Sequence, residues 1–175
     1  MNYSLRLTFR LCILIVFSFY NLSLYAQSKD GKTINDIESY RNWVGVENQK
    51  IGTAYNVLGA AVKKGNVKSV EKAMLNFIKV TEKVAQNAKA LAINDSLNKV
   101  NAHYINWIQS LVDYNAAHAN DLAQFVTSKN ALLKANPDAN TQYPEKQIQD
   151  FFKNMDAVQN QLRLEFLLEV ERLRN

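Results

Sequence analysis

Six side chains with chemical capability recur at helical spacing in the middle of the chain: His103, Trp107, Ser110, Tyr114, His118 and Asp121. On an ideal helix, at about 100° per residue, they fall within roughly 80° of one another and form one polar-aromatic stripe beside the apolar face. Such a stripe has two readings. Amphipathic side chains can cover a seam between helices, ring bodies inside and polar tips wet. Equally, a row of aromatics can form a rim that docks a partner helix, peptide or glycan, since aromatics are enriched in interfaces. Catalysis fits poorly. Ser110 stands eight residues from His118, about two turns away and unable to share its proton directly. His103 and His118, fifteen residues apart, are separated by roughly 22 Å on a continuous helix and cannot ligate one metal ion. His118 and Asp121 offer two ligands from successive turns, which is half a zinc site.

The start of the chain sets the address. Arg6 and Arg10 precede a nearly uninterrupted apolar run, Leu11 to Tyr20, and Leu24-Tyr25-Ala26 ends in a small residue before Gln27-Ser28. That is the layout of a secretory signal peptide over residues 1–26, cleaved after Ala26. A retained membrane anchor needs about 20 apolar residues, twice the run present here. Cys12 is the only cysteine, and Phe9-Arg10-Leu11 before it lacks the small side chains of a lipid-modification site. The mature portion, 27–175, is therefore expected to be cysteine-free, which removes disulfides, thiolate catalysis, Cys-ligated zinc, iron–sulfur clusters and covalent haem from consideration.

Without Arg6 and Arg10, the 21 basic residues fall to 19 against 16 acids, a net charge of about +3 rather than +5. The cations are spread over every expected helix, the densest clusters being Lys63-Lys64 and the Arg172, Arg174 pair. No concentrated basic stripe of a nucleic-acid binder is expected.

Helix signals divide the mature portion into four runs. Thr33-Ile34-Asn35-Asp36 supplies capping oxygens and Gly65-Asn66 a stop, so the first helix is expected over about 36–64, with Ile37, Val44, Ile51 and Leu58 at sevens and Tyr55 and Val62 between. The second, about 67–92, carries Val70, Phe77, Val84 and Leu91 in one register and Val67, Met74, Thr81 and Ala88 in the other. After the capping cluster Asn94-Asp95-Ser96, a third helix is expected over 96–133, weakest at Asn115-Ala116-Ala117-His118-Ala119-Asn120, where it overhangs or breaks. Pro137 and the polar stretch to Gln142 make a loop, and a fourth helix over 145–174 bears Ile148, Phe151, Phe152, Met155, Val158, Leu162, Phe166, Leu167 and Leu173. The expected fold is all-α: an antiparallel up-down-up-down four-helix bundle forming a single domain over 27–175. Gly45, Gly52 and Gly59 line up at sevens on the first helix, where close approach of another helix is the expected reason for them.

Bundle cores host cofactors, yet no glutamate is followed three residues later by histidine, as carboxylate-bridged di-iron sites require. Non-covalent haem between Met74 or Met155 and His118 is the remaining cofactor geometry, against the ordinary use of methionine as a gap-filler. The expectation is no catalytic, metal or cofactor site.

The order of elements also carries a resemblance. A secretory signal, Tyr40-Arg41-Asn42, Glu47-Asn48-Gln49-Lys50, Lys64-Gly65-Asn66 between two helices and a tyrosine-rich third helix together resemble a family of exported bacterial envelope surface proteins of unknown function. The resemblance implies an envelope address and a helical fold and transfers no catalytic residues. Members of that family usually carry a lipoprotein signal, absent here. The function expected is that of a non-enzymatic interaction or structural protein in the periplasm or at the cell surface, with an envelope protein or peptide as partner and a homo-oligomer as an open state, since heptads serve bundles and coiled-coil dimers alike. Two alternatives stand beside it. A periplasmic small-ligand carrier predicts a cavity lined by some of Trp43, Tyr55, Trp107 and Phe152; a chaperone predicts a wide exposed apolar groove.

Overall fold

The computed structural model describes residues 33–175, so the expected signal peptide lies outside the described residues. The described chain is a bundle of five α-helices: α1 (Ile37–Lys64), α2 (Val67–Lys89), α3 (Asn98–Ala117), α4 (Asp121–Ala135) and α5 (Gln142–Arg174), with a 3-10 turn at Asp95–Leu97 before α3. The caps are largely those the sequence marks. Asp36 accepts from the Ser39 amide at 2.8 Å and Asn66 from the Ser69 amide at 2.9 Å, satisfying donors that a helix start leaves free. Gly65 ends α1 at φ 70°, a left-handed conformation that glycine adopts without a Cβ penalty.

Each helix buries the stripe its periodicity points to. Val44, Leu58, Val70, Met74, Phe77, Val84, Tyr104, Ile108, Leu122, Val126, Phe151, Met155 and Phe166 form the core. α1 packs on α2, α2 on α3, and α3 on α5, while α4 lies against α5 and α2. The main seams are antiparallel. Glu47 meets Asn87 and Tyr55 meets Phe77 across α1 and α2; Lys99 meets Glu169 and Tyr114 meets Phe151 across α3 and α5.

The expected third helix is two helices. Its break falls at His118-Ala119-Asn120, inside the segment marked as weak, and leaves α3 and α4 in place of one rod over 96–133. The local cause is legible in the bonds. Asn115 turns its amide onto the Leu111 carbonyl at 2.7 Å, a back-bond that competes with regular helix. One turn on, the His118 ring takes Asp121 at 2.7 Å across the gap. α2 stops at Lys89 rather than 92, because the chain is drawn into a single parallel bridge: Ile34 N–H donates to the Ala92 carbonyl and Asn94 N–H to the Ile34 carbonyl, both at 2.9 Å. α5 begins three residues earlier than expected, with Pro144 within its first turn where no N–H is needed. Val158, expected on the apolar face of the last helix, is exposed, and so is Leu132 at the far end of the expected third helix.

The close approach expected along the α1 glycines fails at Gly45. A Cβ built there meets nothing within 4 Å.

Candidate functional site

The six-residue stripe lies mostly on α3 and faces α5. Trp107 Nε1 donates to Gln159 Oε1 at 2.9 Å, Ser110 Oγ to the Trp107 carbonyl at 2.7 Å, and Tyr114 Oη to the Phe151 carbonyl at 2.9 Å. His103 Nδ1 stands 3.7 Å from Glu165. His118 pairs with Asp121, and its ring lies 4.6 Å from that of Tyr114. Burial, with a smaller contribution from Asp121, pushes the Tyr114 phenol above its usual range. Ser110 adjoins Trp107, and Tyr114, His118 and Asp121 adjoin one another, the last across the break between α3 and α4 rather than on one continuous helix; the polar tips are committed to neighbours within the bundle. Ser110 and His118 do not touch each other, as the spacing requires.

The haem geometry has a specific obstacle in its own residues. Met155 Sδ already accepts from Asn115 Nδ2 at 3.4 Å, and His118 Nδ1 is held by Asp121. Met74 is buried in the core. Among the described residues no group of three or more His, Cys, Asp or Glu side chains is placed to hold a metal ion.

The aromatics proposed to line a carrier cavity meet other rings. Trp43 sets its edge against Tyr104 at 5.8 Å; Tyr55 does the same to Phe152 at 5.8 Å and to Phe77 at 6.0 Å; Trp107 lies 5.7 Å from Phe166. These are the offset and edge geometries that ring quadrupoles favour.

Two further groupings lie outside the stripe. The first is a buried polar network between α1, α2 and α3. Tyr40 Oη donates to Asn101 Oδ1 at 3.0 Å, and Asn101 Nδ2 donates to the Ala88 carbonyl at 3.0 Å. Tyr104 Oη donates to Asn48 Oδ1 at 3.0 Å. Glu47, only 4% exposed, accepts from Lys50 and from Asn87. Burial drives both phenols well above their ordinary range, and Tyr40 and Glu47 raise Tyr104 further. The signal for this network is Asn101 and Asn48 interrupting apolar helices, and four of its members fall in the stretch from Tyr40 to Lys50.

The second grouping is on the outside of α2. Lys68, Lys72, Lys79 and Lys83 are all exposed, and none makes an ion pair or side-chain hydrogen bond with a described residue. Other cations are paired, Arg41 with Glu38, Lys50 with Glu47, Lys99 and Arg172 with Glu169, Lys129 with Glu145, and Arg174 with Glu171, while Lys63, Lys64, Lys134 and Lys146 are exposed without such a pair among the described residues, scattered over three other helices. What sets the α2 lysines apart is their i, i+4, i+11, i+15 spacing, which lines them along one helix face. A shallow groove open to solvent runs along Lys68, Lys72 and Lys79, lined also by Glu71, Leu75 and Asn76.

No described helix is long and apolar enough to cross a membrane. Compared with known protein families, characterised proteins and solved structures, the chain gives no match.

Proposed function

We propose that this chain is an exported, non-catalytic helical module that works through its surface as an interaction or structural protein of the bacterial envelope. In this reading residues 1–26 are a signal peptide removed after Ala26, and α3 and α4 act as one interrupted rod in an up-down-up-down bundle of four rods. The family resemblance belongs to the same proposal. One contrast carries it: the stripe tips are spent inside the fold, whereas the α2 lysines are left open to a partner. Side chains that bond inward position helices; side chains left free on a rigid rod are the ones available for recognition. The test is expression of the full chain in a bacterium, fractionation, and sequencing of its N-terminus, followed by cross-linking in envelope extract. A mature chain starting at Gln27 in the envelope fraction and a stoichiometric cross-linked partner are expected. Cytoplasmic material beginning at Met1 refutes the address; absence of any partner refutes the role.

One atom favours a second reading, a small-ligand carrier. Asn115 is fully buried and its Oδ1 has no hydrogen-bond partner, an arrangement costing about 1–3 kcal/mol unless a donor fills it. Native mass spectrometry of purified protein checks this. A bound small molecule lost on Asn115→Leu supports the carrier; bare protein of the polypeptide mass removes it.

A further inference from the structure

The outward face of α2 is a ridge with a definite pattern. At about 100° per residue, Lys68, Lys72, Leu75, Lys79 and Lys83 fall within roughly 80° of one another, diametrically opposite the buried Val70, Phe77, Val84 and Ala88. The ridge is about 22 Å long. Leu75, near its middle, is 57% exposed. The steps from 68 to 72, 75 and 79 alternate four and three, the spacing with which one helix presents a seam to another.

Resting on the interaction reading above, we infer that this ridge docks an acidic amphipathic helix of a partner protein, its carboxylates against the four lysines and an apolar side chain over Leu75. Three features select this occupant. Glu71 and Glu82 border one edge of the ridge, so a broad anionic sheet such as a lipid surface meets repulsion there, whereas a narrow helix leaves that edge clear or pairs it with a basic flank. A single exposed leucine gives no insertion area for a bilayer but one seam contact for a helix. No aromatic residue lies on the ridge, so it lacks the stacking platform of a single-strand nucleic-acid groove. Ridge-to-ridge packing with a second copy is excluded by charge, since its ridge is equally basic.

The probe is a synthetic peptide of about 20 residues, with glutamates at the complementary seam positions and one central leucine. Its comparators are poly-glutamate of equal charge, phosphatidylglycerol vesicles and a single-stranded oligonucleotide. Binding to the full chain is followed by amide shifts in NMR spectra and by the helicity of the peptide. The peptide is expected to gain helix, to shift amides between Lys68 and Lys83, and to bind less tightly as salt rises. Lys72→Glu with Lys79→Glu should lower its affinity about tenfold or more, and Leu75→Ala about threefold. A lysine-substituted peptide should in turn bind the double variant. Any comparator binding as tightly as the peptide overturns the inference, as do unchanged affinity in the double variant or shifts confined to other helices. An envelope partner captured equally by wild type and Lys72→Glu, Lys79→Glu also overturns the ridge while leaving the interaction reading intact.

Discussion

Removing one oxygen from Tyr40 tests whether the buried polar network holds three helices together. Tyr40 Oη reaches from α1 to Asn101 of α3, and the same amide donates to the Ala88 carbonyl near the end of α2, all out of contact with solvent. Tyr40→Phe keeps the ring, its packing and its 6.0 Å approach to Trp43, and strands Asn101 Oδ1 in the interior. A stranded buried acceptor costs about 1–3 kcal/mol. At roughly 2–4 °C per kcal/mol for a chain of this size, the midpoint of thermal unfolding should fall by about 2–12 °C. Urea unfolding followed by far-ultraviolet circular dichroism gives the free energy, with the slope on urea unchanged if only stability moves. Asn101→Ala should cost more, because it opens a cavity, strands the Tyr40 hydroxyl and leaves the Ala88 carbonyl only backbone donors such as Leu91 N–H at 3.4 Å. The double variant should then cost less than the two single changes together by about 1 kcal/mol, since each removes a bond the other also removes. Tyr40→Phe within about 0.5 kcal/mol of wild type would refute the reasoning, as would strict additivity in the double variant, which would mean that water, not Asn101, satisfies the phenol.

The same phenols set the alkaline limit. Their pKa values are raised by folding, so their contribution is complete below the ordinary tyrosine pKa of 10.0 and is lost as pH climbs above it, at about 1.4 kcal/mol per pH unit for each group; Tyr40→Phe and Tyr104→Phe should each reduce that slope in alkaline urea titrations. At the acid end, hydrogen bonds from Arg172 and Lys99 hold the Glu169 carboxyl down at about 2 against an ordinary 4.5. Its contribution is present above pH 4.5 and drains away as pH falls toward 2, so Glu169→Gln should flatten the stability profile across that window and leave its neutral end lower. Glycine substitutions should have opposite signs, read by thermal melts. Gly45→Ala fills open space on a helix and should stabilise by about 0.5–1 kcal/mol; Gly65→Ala forces a Cβ onto φ 70° and should destabilise by about 1 kcal/mol. Hydrogen exchange should find α4 opening before α2 and α3, since α4 buries only Leu122, Ala123 and Val126 while Leu132 and Leu133 face solvent.

Much of this architecture is legible in the spacing of apolar residues. The heptads of α2 come out buried almost to a residue, Val70, Phe77 and Val84 on one register and Met74, Thr81 and Ala88 on the other, because a helix with so strong a stripe has only one way to turn. Asp36, Gly65 and Asn66 mark their boundaries by local chemistry that needs no partner. The bridge at Ile34 is different. Its pairing with the segment after α2 joins residues some sixty positions apart, and a lone isoleucine before a helix cap carries no period from which to read it. Val158 and Leu132 show the opposite failure. Both sit on the helical repeat, but near positions where no neighbouring helix covers that face, and periodicity reports which side is apolar without reporting whether anything packs against it.

The stripe on α3 and the ridge on α2 show why sites are harder to read than cores. His103, Trp107, Tyr114 and His118 attract attention through residue type, and each polar tip then finds a bond or a charge within the bundle. Lysine at helical spacing attracts none, since a solvated face is its commonest use, and only the alignment of four on one face of α2, none paired with a described residue, makes them stand apart. Pairing is a property of two side chains and so is absent from any single position in a sequence. Glu71 and Glu82 follow Lys68 and Lys79 by three residues, the reverse of the acid-before-base order that pairs Glu38 with Arg41 and Glu171 with Arg174 at other helix faces. On α2 this less favourable order leaves the charges apart, so the acidic helix inferred above would displace no internal ion pair on docking.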